Sequence, residues 1–191
     1  GDWEDPYLTM EYRYEANILR ELGKFFASGG VYRGLKPVHW CTSCLTALAE
    51  AEVEYHDHTS PSVYVTFPLT SELSGLDPAL AGKPVSVIIW TTTPWTLPAN
   101  LAIVVHPSEE YAVFRSKDRY FLTAAKLMDE TTRKCGLASP EVVFRAPGAR
   151  LEGLVARHPW LDRPSPIFTA EYVTMDQGTG AVHTAPGHGA D

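Results

Sequence analysis

Residues Val85 to Asn100 read VSVIIWTTTPWTLPAN. The run Val85-Ser86-Val87-Ile88-Ile89 has the apolar, β-branched make-up of a buried strand. It leads through Trp90 into three threonines, a proline and a second tryptophan. Successive side chains on a strand point to opposite faces, so Thr91 and Thr93 share one face and Thr92 takes the other. One face therefore sets hydroxyls where a core should be. Pro94 removes a ladder donor and holds Thr93 extended, so the strand ends or bends there. Two readings stand at this point: a strand end with edge hydroxyls, or a pocket wall carrying stiff hydroxyl groups.

Outward from this stretch the chain is rich in strands. Val63–Phe67, Val85–Thr92, Leu101–Val105, Tyr111–Phe114 and Tyr120–Leu122 are extended, and Gly or Pro bounds most of them. Val142–Phe144, Leu151–Ala156, Ile167–Thr174 and Gly180–Thr184 complete the set, with Asp176-Gln177-Gly178 as a hairpin turn between the last two. Ala124–Cys135 is the one later helix. The N-terminal part differs: Asp5-Pro6 reads as a helix cap and first turn. Met10, Tyr14, Ile18, Leu22 and Phe25 follow at helical spacing, and Gly29-Gly30 stops the helix. Val31 to His39 is extended, and Thr46 to Glu54 fits a short helix or a strand. The strands do not alternate regularly with helices, which argues against a doubly wound parallel sheet. The expected fold is a strand-rich α/β domain: a twisted, largely antiparallel, β-barrel-like sheet with a few peripheral helices. Residues 1–58 form an N-terminal helix and connecting segment, and residues 59–191 the barrel-like core.

Composition narrows the function. The chain has 191 residues, 45% hydrophobic and 20% charged, enough for a real core. No apolar run is long enough to cross a membrane, and no signal peptide opens the chain. It starts at Gly1 and stops just after a glycine-rich turn, which suggests a segment of something longer. The net charge of -7 argues against a stand-alone duplex-binding module, since no basic run exists. Three cysteines make no disulfide framework at this length, so a reducing, cytoplasmic setting is expected.

Two further motifs carry chemistry. Gly178-Thr179-Gly180-Ala181-Val182-His183-Thr184-Ala185-Pro186-Gly187-His188-Gly189 combines small residues, which let backbone N–H groups approach a ligand, with two histidines that orient it or exchange protons. It is no phosphate loop, because no lysine follows and no helix pattern opens. A plain turn explains it equally well. Cys41-x-x-Cys44 has metal-knuckle spacing with His39, His56 and His58 nearby, but no second Cys-x-x-Cys. It is a half-site or a plain turn with two reduced thiols. Cys135 falls on a helical stretch and reads as core. No Gly-x-Ser-x-Gly elbow is present.

Taken together, WTTTPWTLPANLAIVVHP and GTGAVHTAPGHGAD resemble the inserted editing domain of the class I aminoacyl-tRNA synthetases for valine, leucine and isoleucine. Residues Asp5–Tyr55 resemble the segment by which that insertion begins. Thr93-Pro94-Trp95, without an arginine, is similar to the isoleucyl type. The resemblance implies a domain hydrolysing wrongly attached valine from valyl-tRNA(Ile), or valyl-adenylate, while isoleucine is too large to enter. A synthetic pocket gains only about 10–200-fold from one methylene, and isoleucyl enzymes are themselves the reference case for that limit. Thr91, Thr92 and Thr93 match the family's threonine strand, and β-branching holds their hydroxyls in place. The resemblance makes Thr92, Thr93 and His183 the candidate catalytic residues, with His183 also lining the side-chain pocket. It gives Trp90, Thr91, Asn100, Gly180, His188 and Asp191 to substrate binding. In the family two aspartates follow the Gly-His-Gly; the second receives the substrate's α-ammonium, and Asp191 is the first. The implied partners are the tRNA(Ile) acceptor end and the rest of the synthetase, with a monomeric segment and no membrane. No cofactor is expected in the segment, and Cys41 and Cys44 would be half of a zinc site completed elsewhere in the full-length protein. The rival expectation is a non-catalytic zinc-knuckle module that only positions the acceptor end.

Overall fold

The computed structural model describes residues 2–34 and 37–188. The chain divides into two units, Gly1–Val38 and His39–Asp191. In the first, α1 spans Tyr12–Ala27. It starts later than Asp5-Pro6 suggested. Glu11 is the N-cap, in extended backbone and with no side-chain bond, so Met10 lies outside the helix. The stop is where the glycines put it: the N–H groups of Ser28, Gly29 and Gly30 close onto the last turn, and Gly29 has φ +78°. No residue of α1 is buried, and Ile18, Leu19, Leu22, Phe25 and Phe26 are exposed.

The second unit carries the sheets. A two-residue ladder pairs β1 (Trp40–Cys41) with β2 (Thr46–Ala47) around the Cys-x-x-Cys turn. A five-stranded sheet follows, built from β3 (Val63–Pro68), β4 (Val85–Thr91), β6 (Glu110–Ser116), β7 (Arg119–Ala124) and β8 (Glu141–Pro147), in the order β3-β4-β7-β6-β8. A four-stranded sheet takes β5 (Ala102–Val105), β9 (Val155–Arg157), β10 (Pro164–Thr169) and β11 (Ala181–Thr184), in the order β11-β5-β10-β9. Helix α2 spans Met128–Lys134, preceded by a 3-10 turn at Ala125–Leu127.

The strand-rich α/β class and the largely antiparallel pairing are as expected, but both sheets stay open. Two pairings among the described residues are parallel, β4 with β7 and β10 with β5. The last two strands are not a hairpin. β5 lies between them, antiparallel to β11 and parallel to β10, so Asp176-Gln177-Gly178 turns within a longer connection. The sheets approach where Leu69 bridges Ala156 and Thr70 N–H donates to Val155 O at 2.8 Å.

The continuous apolar run of β4 has a physical reason. Val85, Val87 and Ile89 face the main core shared by both sheets, with Phe67, Ile103, Tyr111 and Ile167. Ile88 faces a second cluster with Phe114 and Phe121, which Met128 of α2 helps cover. A strand buried on both sides leaves no position for alternation. Among the described residues no helix is long and apolar enough to cross a membrane.

Candidate functional site

Thr91 lies on the β4 face that Val85, Val87 and Ile89 turn to the core, and it is 7% exposed. The ladder stops there. Thr92 bends away and is exposed, with its carbonyl accepting from Ser60 Oγ at 2.7 Å. Thr93 (φ −124°, ψ 63°) enters a 3-10 turn over Pro94–Ala99, where proline suits the first position. Thr93 N–H donates to Thr91 Oγ1 at 3.1 Å, and the two hydroxyls lie 3.2 Å apart. One turn on, Thr96 comes back beneath them. Its hydroxyl donates to Thr93 O at 2.8 Å and lies 3.0 Å from His183 Nε2.

The second wall comes from β11. His183 pairs with Ile103 in the ladder, which aims its ring at Thr96. The proton of Thr96 Oγ1 is already used on Thr93 O, so His183 Nε2–H is the donor to Thr96. Nδ1 is then an acceptor, buried and without a hydrogen-bond partner among the described residues. Burial, and then the like charges of His158 and His188, push His183 below the ordinary histidine range. The ring is neutral at neutral pH and locked in one orientation.

These walls enclose a cleft of about 200 Å³ lined by Trp90, Thr91, Thr93, Thr96, His183 and His188, among others. A second cleft of about 260 Å³ adjoins it, sharing Trp90, Thr91 and Val182 and adding Thr92, Thr179 and Gly180. Two motifs that lie far apart in the chain thus meet at one place.

The glycine-rich segment is fixed through successive carbonyls. Gly178 O accepts from Thr131 Oγ1 at 3.3 Å, Thr179 O from Ala124 N–H at 2.8 Å, and Gly180 O from Tyr111 Oη at 2.5 Å. Tyr111 Oη also accepts from His106 N–H, and burial pushes the phenol up to about 12. Glycine is required at two of these positions. Gly178 (φ +81°) lies against Trp90, where a Cβ would sit 3.0 Å from the ring, and Gly180 (φ +72°) lies against Ala124.

The anticipated residues do not all gather. Trp90, Thr91, Thr93, His183 and His188 line the first cleft, while Thr92 and Gly180 line the second. Asn100 lines neither. It is wholly buried, with Nδ2 donating to Ala102 O and Oδ1 accepting from Ser165 Oγ, both at 2.8 Å. Asp191 lies outside the described residues. Sequence reasoning passed over Thr96 and Tyr111, and also His158, which is buried behind the turn. Thr96, three residues beyond Thr93, was within reach of a helical-turn reading of Pro94–Ala99.

At the other motif, Cys44 N–H donates to Cys41 Sγ at 3.3 Å, and this bond, with that of Ser43, holds the Cys41 thiol below its usual range. Both thiols are free, and among the described residues no third His, Cys, Asp or Glu joins them. Cys135, half-buried after α2, has its thiol pushed up by burial, the opposite of an activated nucleophile.

The family of class I tRNA synthetases (I, L, M and V) matches residues 1–145. The chain belongs to this family. Among curated class I tRNA synthetases it is 53% identical over its whole length to the isoleucine–tRNA ligase of Nitratidesulfovibrio vulgaris (strain Miyazaki F), and 53% to that of Desulfotalea psychrophila. It spans 20% of the length of each. Its fold is similar to the solved GlLeuRS-CP1, with a TM-score of 0.53 at 17% identity, covering 65% of this chain and 55% of that one. It is similar too to the editing domain of P. knowlesi cytosolic leucyl-tRNA synthetase, with a TM-score of 0.52 at 11% identity over 66% and 59% of the two chains. A class I synthetase segment with the fold of an editing domain is thus in hand.

Proposed function

We propose that this segment is a proofreading hydrolase that cleaves valine from valyl-tRNA(Ile), and valyl-adenylate by the same chemistry, within an isoleucine–tRNA ligase. The observation that carries the reading is the first cleft. Three threonine hydroxyls and one immobilised imidazole converge on a space of about 200 Å³. The isoleucine–tRNA ligases at 53% identity support the amino-acid assignment.

In this reading water attacks the ester carbonyl, the bond from that carbon to the ribose oxygen breaks, and valine and a free ribose hydroxyl leave. Thr91 and Thr93 hold the ester and the water by hydrogen bonds to hydroxyls that cannot swing freely. Such preorganised donors act where charge develops on the carbonyl oxygen. Thr92, on the second cleft, serves the nucleoside side. No covalent enzyme intermediate is needed. The partner is the acceptor end of tRNA(Ile), delivered by the rest of the synthetase, because the segment itself is acidic.

His183 acts here as the wall of the side-chain pocket. Its Nε2–H is committed to Thr96 and its ring is held, so it excludes isoleucine by bulk. Overpacking a rigid site costs about 1–3 kcal/mol, or roughly 5- to 150-fold. In the full-length synthetase His183→Ala should begin to hydrolyse isoleucyl-tRNA while still cleaving valyl-tRNA, read by parallel deacylation of both. If valine cleavage collapses and isoleucine stays protected, His183 is a catalytic group and the sieve assignment fails.

A further inference from the structure

Behind the 3-10 turn Pro94–Ala99 lies a strap, residues 158–165, three of whose side chains bond that turn and its cap. His158 is 1% exposed. Its Nε2 lies 2.8 Å from Leu97 O, and its Nδ1 accepts from Leu161 N–H at 3.1 Å. Those two bonds fix the tautomer: Nε2–H donates to Leu97 O and Nδ1 accepts. The ring is wedged edge-on between Phe67 and Trp160, with centroids at 5.7 and 4.6 Å. Next along the strap, Arg163 Nη2 donates to Pro98 O, and Ser165 Oγ donates to Asn100 Oδ1 at 2.8 Å. Three side chains therefore grip three residues of one turn: Leu97, Pro98 and Asn100.

The turn has two sides. Its rear carbonyls and Asn100 face the strap, while Thr96 faces the cleft and holds His183. A 3-10 turn of six residues interrupted by Pro98 has few bonds of its own. The bonds at its two ends are Thr96 N–H to Thr93 O at 3.0 Å and Asn100 N–H to Leu97 O at 2.9 Å, and Pro98 has no N–H to give. Leu97 O accepts from both Asn100 N–H and His158 Nε2–H, so His158 bonds the same carbonyl that closes the turn. The carbonyl next to Thr96 is thus tied both within the turn and to the strap behind it.

We propose that His158 is a positioning residue for substrate selection: by anchoring Leu97 O it fixes the Thr96–His183 wall and so sets the size limit of the first cleft. It lines neither the first nor the second cleft and handles no proton in the reaction. This rests on the editing reading above. It also makes Asn100 a member of the anchoring network, with its role expressed through Ser165 and Ala102.

The test uses the full-length synthetase with His158→Phe, which keeps a ring but no donor, and His158→Gln, whose amide N–H can reach Leu97 O. Hydrogen exchange read by mass spectrometry over residues 93–101 should speed up in the Phe variant and recover in Gln. Deacylation of valyl-tRNA over isoleucyl-tRNA should lose about 10- to 100-fold in ratio in the Phe variant, as expected when reacting groups shift by about 1 Å. The Gln variant should recover most of it. Loss of stability alone would not shift a ratio measured on the folded fraction, nor be rescued by one donor. Should the Phe variant not fold, Ser165→Ala must shift both readouts in the same direction. An unchanged ratio, unchanged exchange, or a Gln variant no better than Phe overturns the proposal. A wild type that cleaves no valyl-tRNA overturns the editing reading instead, and the exchange measurement still decides whether His158 anchors the turn.

Discussion

Gly180→Ala is a sharp test of how the site is packed. The new Cβ would lie 2.4 Å from Ala124 Cβ and 3.1 Å from Met175 Sδ, and φ is +72°. The methionine can yield, but Ala124 is the last residue of β7 and cannot retreat without moving the strand. Two costs combine. A left-handed backbone costs an L-residue about 1–2 kcal/mol, and overpacking adds about 1–3 kcal/mol. The sum is about 2–5 kcal/mol, a large share of the roughly 5–15 kcal/mol by which domains are stable. Gly136→Ala separates the two, because Gly136 has φ +63° and nothing within 4 Å of its Cβ position. It carries the backbone cost alone. Urea unfolding of the two variants should place Gly180→Ala about 1–3 kcal/mol below Gly136→Ala. Equal stabilities would show that the Ala124 contact is soft and that the glycine segment is not held as described.

Two further outcomes are expected. Tyr111→Phe leaves Gly180 O and His106 N–H without their shared partner, at a cost of about 1–3 kcal/mol in thermal or urea melts. Because the folded phenol titrates at about 12, against 10 when free, Tyr111 contributes stability that is whole below pH 10. That contribution is lost as pH rises from 10 to 12, about 3 kcal/mol in all; the Phe variant should lack this alkaline step, and an unchanged alkaline profile would count against it. Thr96→Val removes the hydroxyl that joins Thr93 O to His183. It should lower the preference for valyl-tRNA over isoleucyl-tRNA in deacylation by about tenfold, with a stability loss of about 1–3 kcal/mol, and a wild-type ratio in a folded variant would refute the link.

The sequence carried some of this and not the rest, for physical reasons. The hydroxyls of β4 were legible because strand periodicity is local and three threonines violate it. The glycines near His183 read as room for a ligand to approach the backbone or as a plain turn, and the structure packs Gly178 on Trp90 and Gly180 on Ala124. What they pass close to was not legible, since Tyr111 reaches Gly180 across 69 residues and His158 reaches Leu97 across 61. The same limit hid the strand order. Periodicity identifies β10 and β11 as strands, but nothing local says that β5 inserts between them. Asn100 shows the same limit. The resemblance gives it to substrate binding, and the structure shows its amide bonded to Ala102 O and Ser165 Oγ, partners that no local pattern announces.

The pairing of β11 with β5 bears on how the protein is made. β5 is the first strand of its sheet in chain order, and its two neighbours, β10 and β11, follow it by about 60 residues or more, with Ala181 opposite Val105. Until β10 and β11 leave the ribosome, β5 has two unsatisfied edges rich in alanine, isoleucine and valine, the kind of surface that recruits other chains. The first cleft gains its second wall at the same moment, because His183 rides on β11. Nascent chains arrested before Ala181 should therefore be both inactive and prone to associate, and chaperone dependence should fall abruptly once that strand is released.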